Sequence, residues 1–375
     1  MCDTISKRKN NNNGTRTVSV KDAVGMVIPH DITEIRPGEF KGRAFKKGHI
    51  VREEDISYLQ KLGKENLFVL EIKDDEIHEN DAAYALAKAL AGPGVRAEGE
   101  PNEGKINLVA SRDGLLKVNQ ESLLAFNMLG EVMCATVHNN SVVKKGQTVA
   151  GTRAIPLVVK KFIVDNAVAI AENSRGILSV HNMKRPRAGI VITGNEVFSG
   201  KIEDAFEAVI TGKIEDLGGE ITGVYFAPDK ADYIEGKIRE LVAAGADLII
   251  TTGGMSVDPD DVTRFAIRNL SSEDITYGSP VLPGAMFLVA YIDTENSKLE
   301  TCLPAGKVRN SKLKHIPVLG IPACGMYSNI TVFDMVLPRI LAGEIIGRKE
   351  LAELGHGGLC LKCDKCCYPV CPFGK

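Results

Sequence analysis

The sequence predicts an α/β protein organised around a mainly parallel sheet, and three observations within residues 189–264 predict it. Gly189-Ile190-Val191-Ile192 is a short apolar run of the kind that forms a strand buried on both faces. Such runs alternate with stretches whose apolar residues recur at helical spacing, as in strand-helix-strand units. Polar, glycine-bearing loops follow the strands, at the sheet edge where open parallel sheets bind ligands.

Taken in order, residues 1–15 carry Lys7-Arg8-Lys9 and Asn10 to Asn13, too polar for a core, and predict a disordered start. Residues 16–73 predict a small mixed α/β domain. Val18, Val20 and the stretch Ala23 to Ile28 are broken by Pro29 and Pro37, a short helix from Glu54 to Leu62 stops at Gly63, and a strand follows from Asn66 to Ile72. Residues 74–185 predict a mixed α+β domain. Asp81 is expected to cap an Ala-rich helix ending at Gly92-Pro93-Gly94, and Asn119 to cap another running to Leu129. Lys46-Lys47-Gly48 and Lys144-Lys145-Gly146 echo each other as basic turns, and Met183 to Arg187 is the expected linker.

Residues 186–345 hold the sheet. The first strand ends in Thr193-Gly194-Asn195-Glu196. Phe206, Val209, Ile210, Ile214 and Leu217 then mark a helix that Gly218-Gly219 stops. A strand from Glu220 to Phe226 leads to Asp229, and a second helix carries Ile234, Ile238, Leu241 and Val242 up to Gly245. The strand from Ala246 to Thr251 opens into Thr252-Gly253-Gly254-Met255-Ser256-Val257-Asp258-Pro259-Asp260-Asp261-Val262-Thr263, with Pro259 and its acids suited to the first turn of the next helix. Glycines let backbone approach an anion closely, and amide dipoles beside carboxylates suit a phosphate held together with Mg²⁺. After a strand ending at Ile292, a polar excursion from Asp293 to His315 is expected to be a mobile insertion. Ile316 to Ile321 resumes the sheet before a helix with Tyr327, Ile330, Phe333 and Leu337.

Bulk properties narrow the function. The chain has 375 residues, 44% hydrophobic and 25% charged, with a net charge of -2 that disfavours a general nucleic-acid or membrane-surface binder. No run has the apolar length of a membrane span and the first residues lack a signal-peptide centre, so a cytoplasmic location is expected. There is no Gly-x-Gly-x-x-Gly, Gly-Lys-Ser or Ser/His/Asp signature, which sets aside ordinary hydride and kinase chemistry.

Thr-Gly-Asn-Glu at 193–196, the Asp229 turn, and Gly-Gly-Met-Ser-Val at 253–257 with Asp261 and Thr263 resemble the molybdopterin-binding domain of the molybdopterin molybdenumtransferases and their adenylyltransferase relatives. The resemblance spans about residues 188 to 342 and implies a three-layer α/β/α domain with a mainly parallel sheet. It implies molybdopterin or adenylyl-molybdopterin as ligand, molybdate as co-substrate and AMP as product. Thr193, Gly194, Asn195, Thr252, Gly253, Gly254, Ser256 and Thr263 would cradle that ligand, while Glu196, Asp229 and Asp261 would act in catalysis and hold Mg²⁺. The alternative for each acid is a helix N-terminal residue, worth only about 0.3 to 1 kcal/mol. A fainter likeness in residues 23–63 to the first domain of the transferases implies a homodimer, and a molybdenum enzyme would be the partner served.

The chain also departs from that family. Asp258 stands where glycine is usual, Pro322-Ala323-Cys324-Gly325 replaces Pro-Gly-Asn-Pro, and Lys41-Gly42-Arg43-Ala44 stands where the family has Asp-Gly-Tyr-Ala presenting a catalytic acid. Where those transferases continue into a β-domain, this chain passes to a Cys-rich tail. Asp260-Asp261-Val262-Thr263 also looks like the Asp-Asp-x-Thr of the competence-damage-inducible family, tied to nucleotide pyrophosphate hydrolysis. A non-catalytic pterin carrier or sensor is the third reading.

Residues 346–375 form that tail. Of nine cysteines, five fall between Cys360 and Cys371, which favours thiols or a metal site over disulfides in a reducing compartment. Cys360, Cys363, Cys366 and Cys371 have intervals compatible with one Zn²⁺ or an iron-sulfur cluster, Cys367 being an alternate ligand. With almost no apolar residues, the tail is expected to need such a cross-link to fold.

Overall fold

The computed structural model describes residues 15–36, 40–70, 72–255, 262–271, 275–293 and 315–374. The chain divides into two compact units, the first holding most residues up to Val180 and the second those from His181 onward.

In the first unit, Thr15–Ser19 pairs antiparallel with Asn66–Leu70, and Ile32–Arg36 with Phe40–Phe45, around a core of Val20, Ile28, Leu59 and Val69. Further along, four antiparallel strands lie in the order Val95–Asn102, Lys105–Ala110, Thr148–Ala154, Val132–Thr136. Helices Glu79–Leu90 and Lys161–Asn173 pack with them around Leu86, Leu90, Ile106, Leu108 and Phe126.

Two turns explain the echo between basic segments. The Lys46 carbonyl accepts from the His49 N–H and the Lys144 carbonyl from the Gln147 N–H, with Gly48 and Gly146 at φ 86° and 85°. Positive φ at the third turn position is what selects glycine there. The helix expected to begin at Asp81 begins at Glu79 instead, and His78 is its cap. The imidazole Nδ1 accepts from the Asn80 N–H, which leaves Nε2–H to donate to the Gly48 carbonyl at 2.7 Å. Asp81 sits in the first turn, where an acid suits the helix dipole without serving as the cap.

In the second unit, six strands form one sheet: β1 (Arg187–Thr193), β2 (Glu220–Ala227), β3 (Leu248–Thr252), β4 (Thr276–Tyr277), β5 (Leu288–Asp293) and β6 (His315–Ile321), in the order β2-β1-β3-β6-β5-β4. The first four in that order run parallel; β5 and β4 are antiparallel additions. Alternation along each strand builds two cores. Ile190, Ile192 and Ile250 face helices Phe206–Asp216 and Val332–Leu341, while Val191, Ile249 and Val318 face helices Ala231–Ala243 and Thr263–Leu270. The sheet is therefore the middle of three layers, the α/β/α arrangement with a mainly parallel sheet. Gly189 sits where a Cβ would lie 2.9 Å from Leu241, so the helix packs directly on the β1 backbone.

The tail is part of this unit. After helix Arg348–Glu353 the chain returns to the sheet edge, where the Leu282 N–H donates to the Gly358 carbonyl at 2.7 Å and the Cys360 N–H to the Leu282 carbonyl at 2.8 Å. Phe373 is buried in the same core as Met335, with Cys360, Tyr368 and Cys371 packed against it. The few apolar residues of the tail are received by the core that the rest of the unit builds. Among the described residues, no helix is long and apolar enough to cross a membrane. The Asp293 to His315 excursion lies, apart from its two ends, outside the described residues, and so do Met1 to Gly14.

Candidate functional site

The loops that follow β1, β2 and β3 meet at the C-terminal edge of the parallel strands. At their centre the Thr193 hydroxyl donates to the Thr252 carbonyl at 2.9 Å and lies 2.9 Å from the Thr263 hydroxyl. All three threonines are buried. Gly253 and Gly254 pass over them with φ 80° and 59°. A Cβ on Gly253 would stand 2.3 Å from the Thr193 carbonyl oxygen, and one on Gly254 would stand 2.2 Å from the Thr263 hydroxyl. Only glycine satisfies both the backbone conformation and that contact.

Beside this lock lies a second. The Asn195 N–H donates to the Asp229 carboxylate at 3.0 Å, and the Asp229 N–H donates back to the Asn195 side-chain carbonyl at 3.2 Å. The pair ties the β1 loop to the β2 loop. Gly194, at φ 143°, makes the turn between Thr193 and Asn195, and Glu196 stands exposed on the short helix Asn195–Phe198. Ser256 and Asp261 lie outside the described residues, as do Val257 to Asp260.

The Gly253-Gly254 turn opens on a cavity of about 760 Å³. Its wall includes Met255, the Leu282-Pro283-Gly284 turn, Met286, Pro322-Ala323-Cys324 and, from the tail, Leu359, Cys360 and Lys362. The Tyr277 hydroxyl donates to the Met255 carbonyl at 2.5 Å and fixes that side of the wall. Burial raises the Cys324 thiol pKa above the ordinary range and keeps it protonated at neutral pH. The volume falls within the range of small-ligand sites, and the wall is mostly apolar with a few polar groups.

Of the residues named from sequence, Thr193, Thr252, Gly253, Gly254 and Thr263 come together, and Asn195 joins Asp229. Of these, Gly253 and Gly254 line the cavity, while Thr193, Gly194, Asn195, Glu196, Asp229, Thr252 and Thr263 do not. Sequence reasoning missed Tyr277, Leu282 to Gly284 and the tail residues, since nothing local marks a wall assembled from segments some 80 residues apart. The Cys360, Cys363, Cys366 and Cys371 thiols are unbonded, and no three His, Cys, Asp or Glu side chains among the described residues are gathered closely enough to hold a single metal ion. In the first unit, Arg43 donates to the Asp31 carboxylate at 3.2 Å, and Asp31 also accepts from the Lys47 N–H at 2.8 Å. Those bonds, the Lys47 N–H first, lower the Asp31 pKa below the usual carboxylate range.

Comparison with known proteins bears on this unit. Residues 189–342 match the family described as "Probable molybdopterin binding domain", which coincides with the span of the resemblance read from the three loops, and residues 17–71 match a domain of unknown function. A CinA-like protein of Mycolicibacterium paratuberculosis is 27% identical over 137 residues, covering 36% of this chain and 32% of that protein. The chain thus spans about a third of the length of such relatives. Among solved structures, the tungsten cofactor synthesizing protein MoaB from Pyrococcus furiosus is 16% identical with a TM-score of 0.31, covering 42% of this chain and 94% of its own. The molybdopterin biosynthesis moea protein from Pyrococcus horikosii is 16% identical with a TM-score of 0.29, covering 72% of this chain and 80% of its own.

Proposed function

We propose that this cavity binds molybdopterin or its adenylylated form, and that the chain cleaves the adenylyl phosphoanhydride, releases AMP and lets molybdate pass to the pterin dithiolene. One observation carries the reading: a glycine turn locked on Thr193 and Thr263 opens on the large cavity at the C-terminal edge of a parallel sheet. The family match over residues 189–342 supports it. The half-buried peptide edges of Gly253 and Gly254, on the cavity wall, would receive phosphate, and the apolar wall would receive the pterin. Glu196, Asp229 and Asp261 offer the oxygen donors a hard cation prefers, and a bound Mg²⁺ would neutralise phosphate charge. The reading includes a cytoplasmic homodimer handing its product to a molybdenum enzyme.

A pterin carrier without turnover is favoured by one feature: the Asp229 carboxylate is already engaged by the Asn195 N–H, and Glu196 stands away from the cavity. The CinA-like relatives favour nucleotide pyrophosphate hydrolysis as the other alternative. The test is to incubate the protein with adenylyl-molybdopterin, molybdate and Mg²⁺, follow AMP release and pterin-bound molybdenum, and repeat with ADP-ribose. Pterin binding without AMP release would leave the carrier; ADP-ribose turnover without pterin binding would leave the hydrolase. Asp261→Asn is expected to lower AMP release on the order of 100-fold while retaining pterin binding. Unchanged turnover would remove Asp261 from the chemistry.

A further inference from the structure

We infer that the tail cysteines hold a [4Fe–4S] cluster in a cavity of their own, next to the ligand cavity. Cys360, Cys363, Cys366, Cys367 and Cys371 all line one cavity of about 310 Å³. Five cysteine residues on the wall of one cavity are more than the four sulfurs that close on a single point in a structural zinc site, with Zn–S about 2.3 Å. No three of these thiols meet that way among the described residues, and none is in a disulfide. A cavity of this size with five cysteines on its wall has room for an occupant larger than one ion, and an inorganic cluster ligated at its corners by thiolates is the group that matches soft sulfur donors.

The chain is shaped for it. Lys362, between the first two cysteines, has φ 51°, a left-handed conformation unfavourable for a lysine, and Cys360 and Cys363 on either side of it line the same void. Phe373 anchors the far end in the core, so that Cys371 is held while Cys363 and Cys366 stay exposed and free to close on an occupant. The Cys367 thiol donates to the Lys365 carbonyl at 3.4 Å, which assigns it to the turn and leaves Cys360, Cys363, Cys366 and Cys371 as ligands. Each ligand releases its proton to solvent as it binds iron. Lys362 stands on the wall and offsets the resulting negative charge. Pro283, Cys360 and Lys362 line both this void and the ligand cavity, so the cluster would form part of the ligand wall. The thiol site stands whether or not pterin occupies the neighbouring cavity.

The full chain is purified anaerobically, reconstituted with equal parts of ferrous and ferric iron and with sulfide, the mixed valence an oxidised [4Fe–4S] cluster requires, and analysed for iron, sulfide and zinc, with absorption and electron paramagnetic resonance spectra before and after dithionite. About four iron and about four sulfide per chain, with a visible band that bleaches on reduction, are expected. Stoichiometric zinc without sulfide, or tail disulfides without metal, would overturn the cluster. Cys363→Ser and Cys366→Ser change exposed side chains and are expected to keep the wild-type circular dichroism spectrum, so their expected loss of iron reports ligation. Cys324→Ser and Cys367→Ala are expected to keep the full iron content. Iron retained by both Cys363→Ser and Cys366→Ser would refute the site, and iron lost from Cys367→Ala but kept by Cys371→Ser would refute the ligand assignment.

Discussion

The ligand cavity has two walls built on different principles. On the sheet side, Gly253 and Gly254 are fixed by backbone contact and by buried threonine hydroxyls, and each atom has one available place. On the tail side, Leu359, Cys360 and Lys362 hang from two backbone bonds to Leu282 and from the Phe373 anchor, with three of the five tail thiols exposed. The sheet wall is organised without a ligand, which would lower the entropy cost of holding the proposed phosphate. The tail wall has sites for bonds that its own residues do not complete. The proposed anion end and the proposed cluster end of the cavity are thus built on opposite principles.

The largest effect that could break this comparison is expected from Gly253→Ala. The new Cβ would meet backbone rather than a movable side chain, and at positive φ, so stability should fall by about 3 to 4 kcal/mol in urea unfolding. A change below about 1 kcal/mol would show that the sheet wall yields, and the contrast with the tail would fail.

Next is Phe373→Ala, which removes the aromatic anchor from a core it shares with Met335. A loss of about 3 kcal/mol is expected, with earlier cleavage of the tail in limited proteolysis. Wild-type stability and an equally protected tail would mean that the tail wall rests on something other than this side chain.

The smallest effect is one of reactivity and sharpens the comparison. Burial pushes the Cys134 thiol, in the first unit, up to about 12, so its thiolate is absent at pH 8 and its alkylation must await unfolding. The sign follows from linkage: a thiol whose folded pKa is raised favours folding while protonated. That contribution is complete below the unfolded pKa of about 9 and is lost as pH rises toward 12. In the metal-free native protein, timed iodoacetamide labelling at pH 8 should modify Cys363 and Cys366 first and Cys134 last. Labelling of Cys134 at the rate of the tail thiols would contradict its burial.

Much of the second unit was legible in the chain. Gly189 to Ile192 and Ile316 to Ile321 are apolar on both faces because both faces are covered, and the helix from Phe206 ends at Asp216, just before the Gly218-Gly219 stop predicted for it. The Gly253-Gly254 turn could be located because glycine at a strand end carries its steric reason with it. Asp81 misled because an acid in a first turn and an acid at a cap look alike in sequence, and only the position of His78 against the Gly48 carbonyl separates them.

By itself, then, the sequence determined the alternation of strands and helices, the order of the three loops and the cluster of tail cysteines, since periodicity, turn chemistry and residue type act over a few residues. Tertiary structure alone decided that Asp229 binds the Asn195 backbone, that Leu282 receives the tail, and that Cys360 and Lys362 face the same cavity as Gly253. Those pairings join residues tens to about a hundred positions apart. They follow from which apolar faces can be buried together, and that choice is made by the whole core rather than by any local stretch.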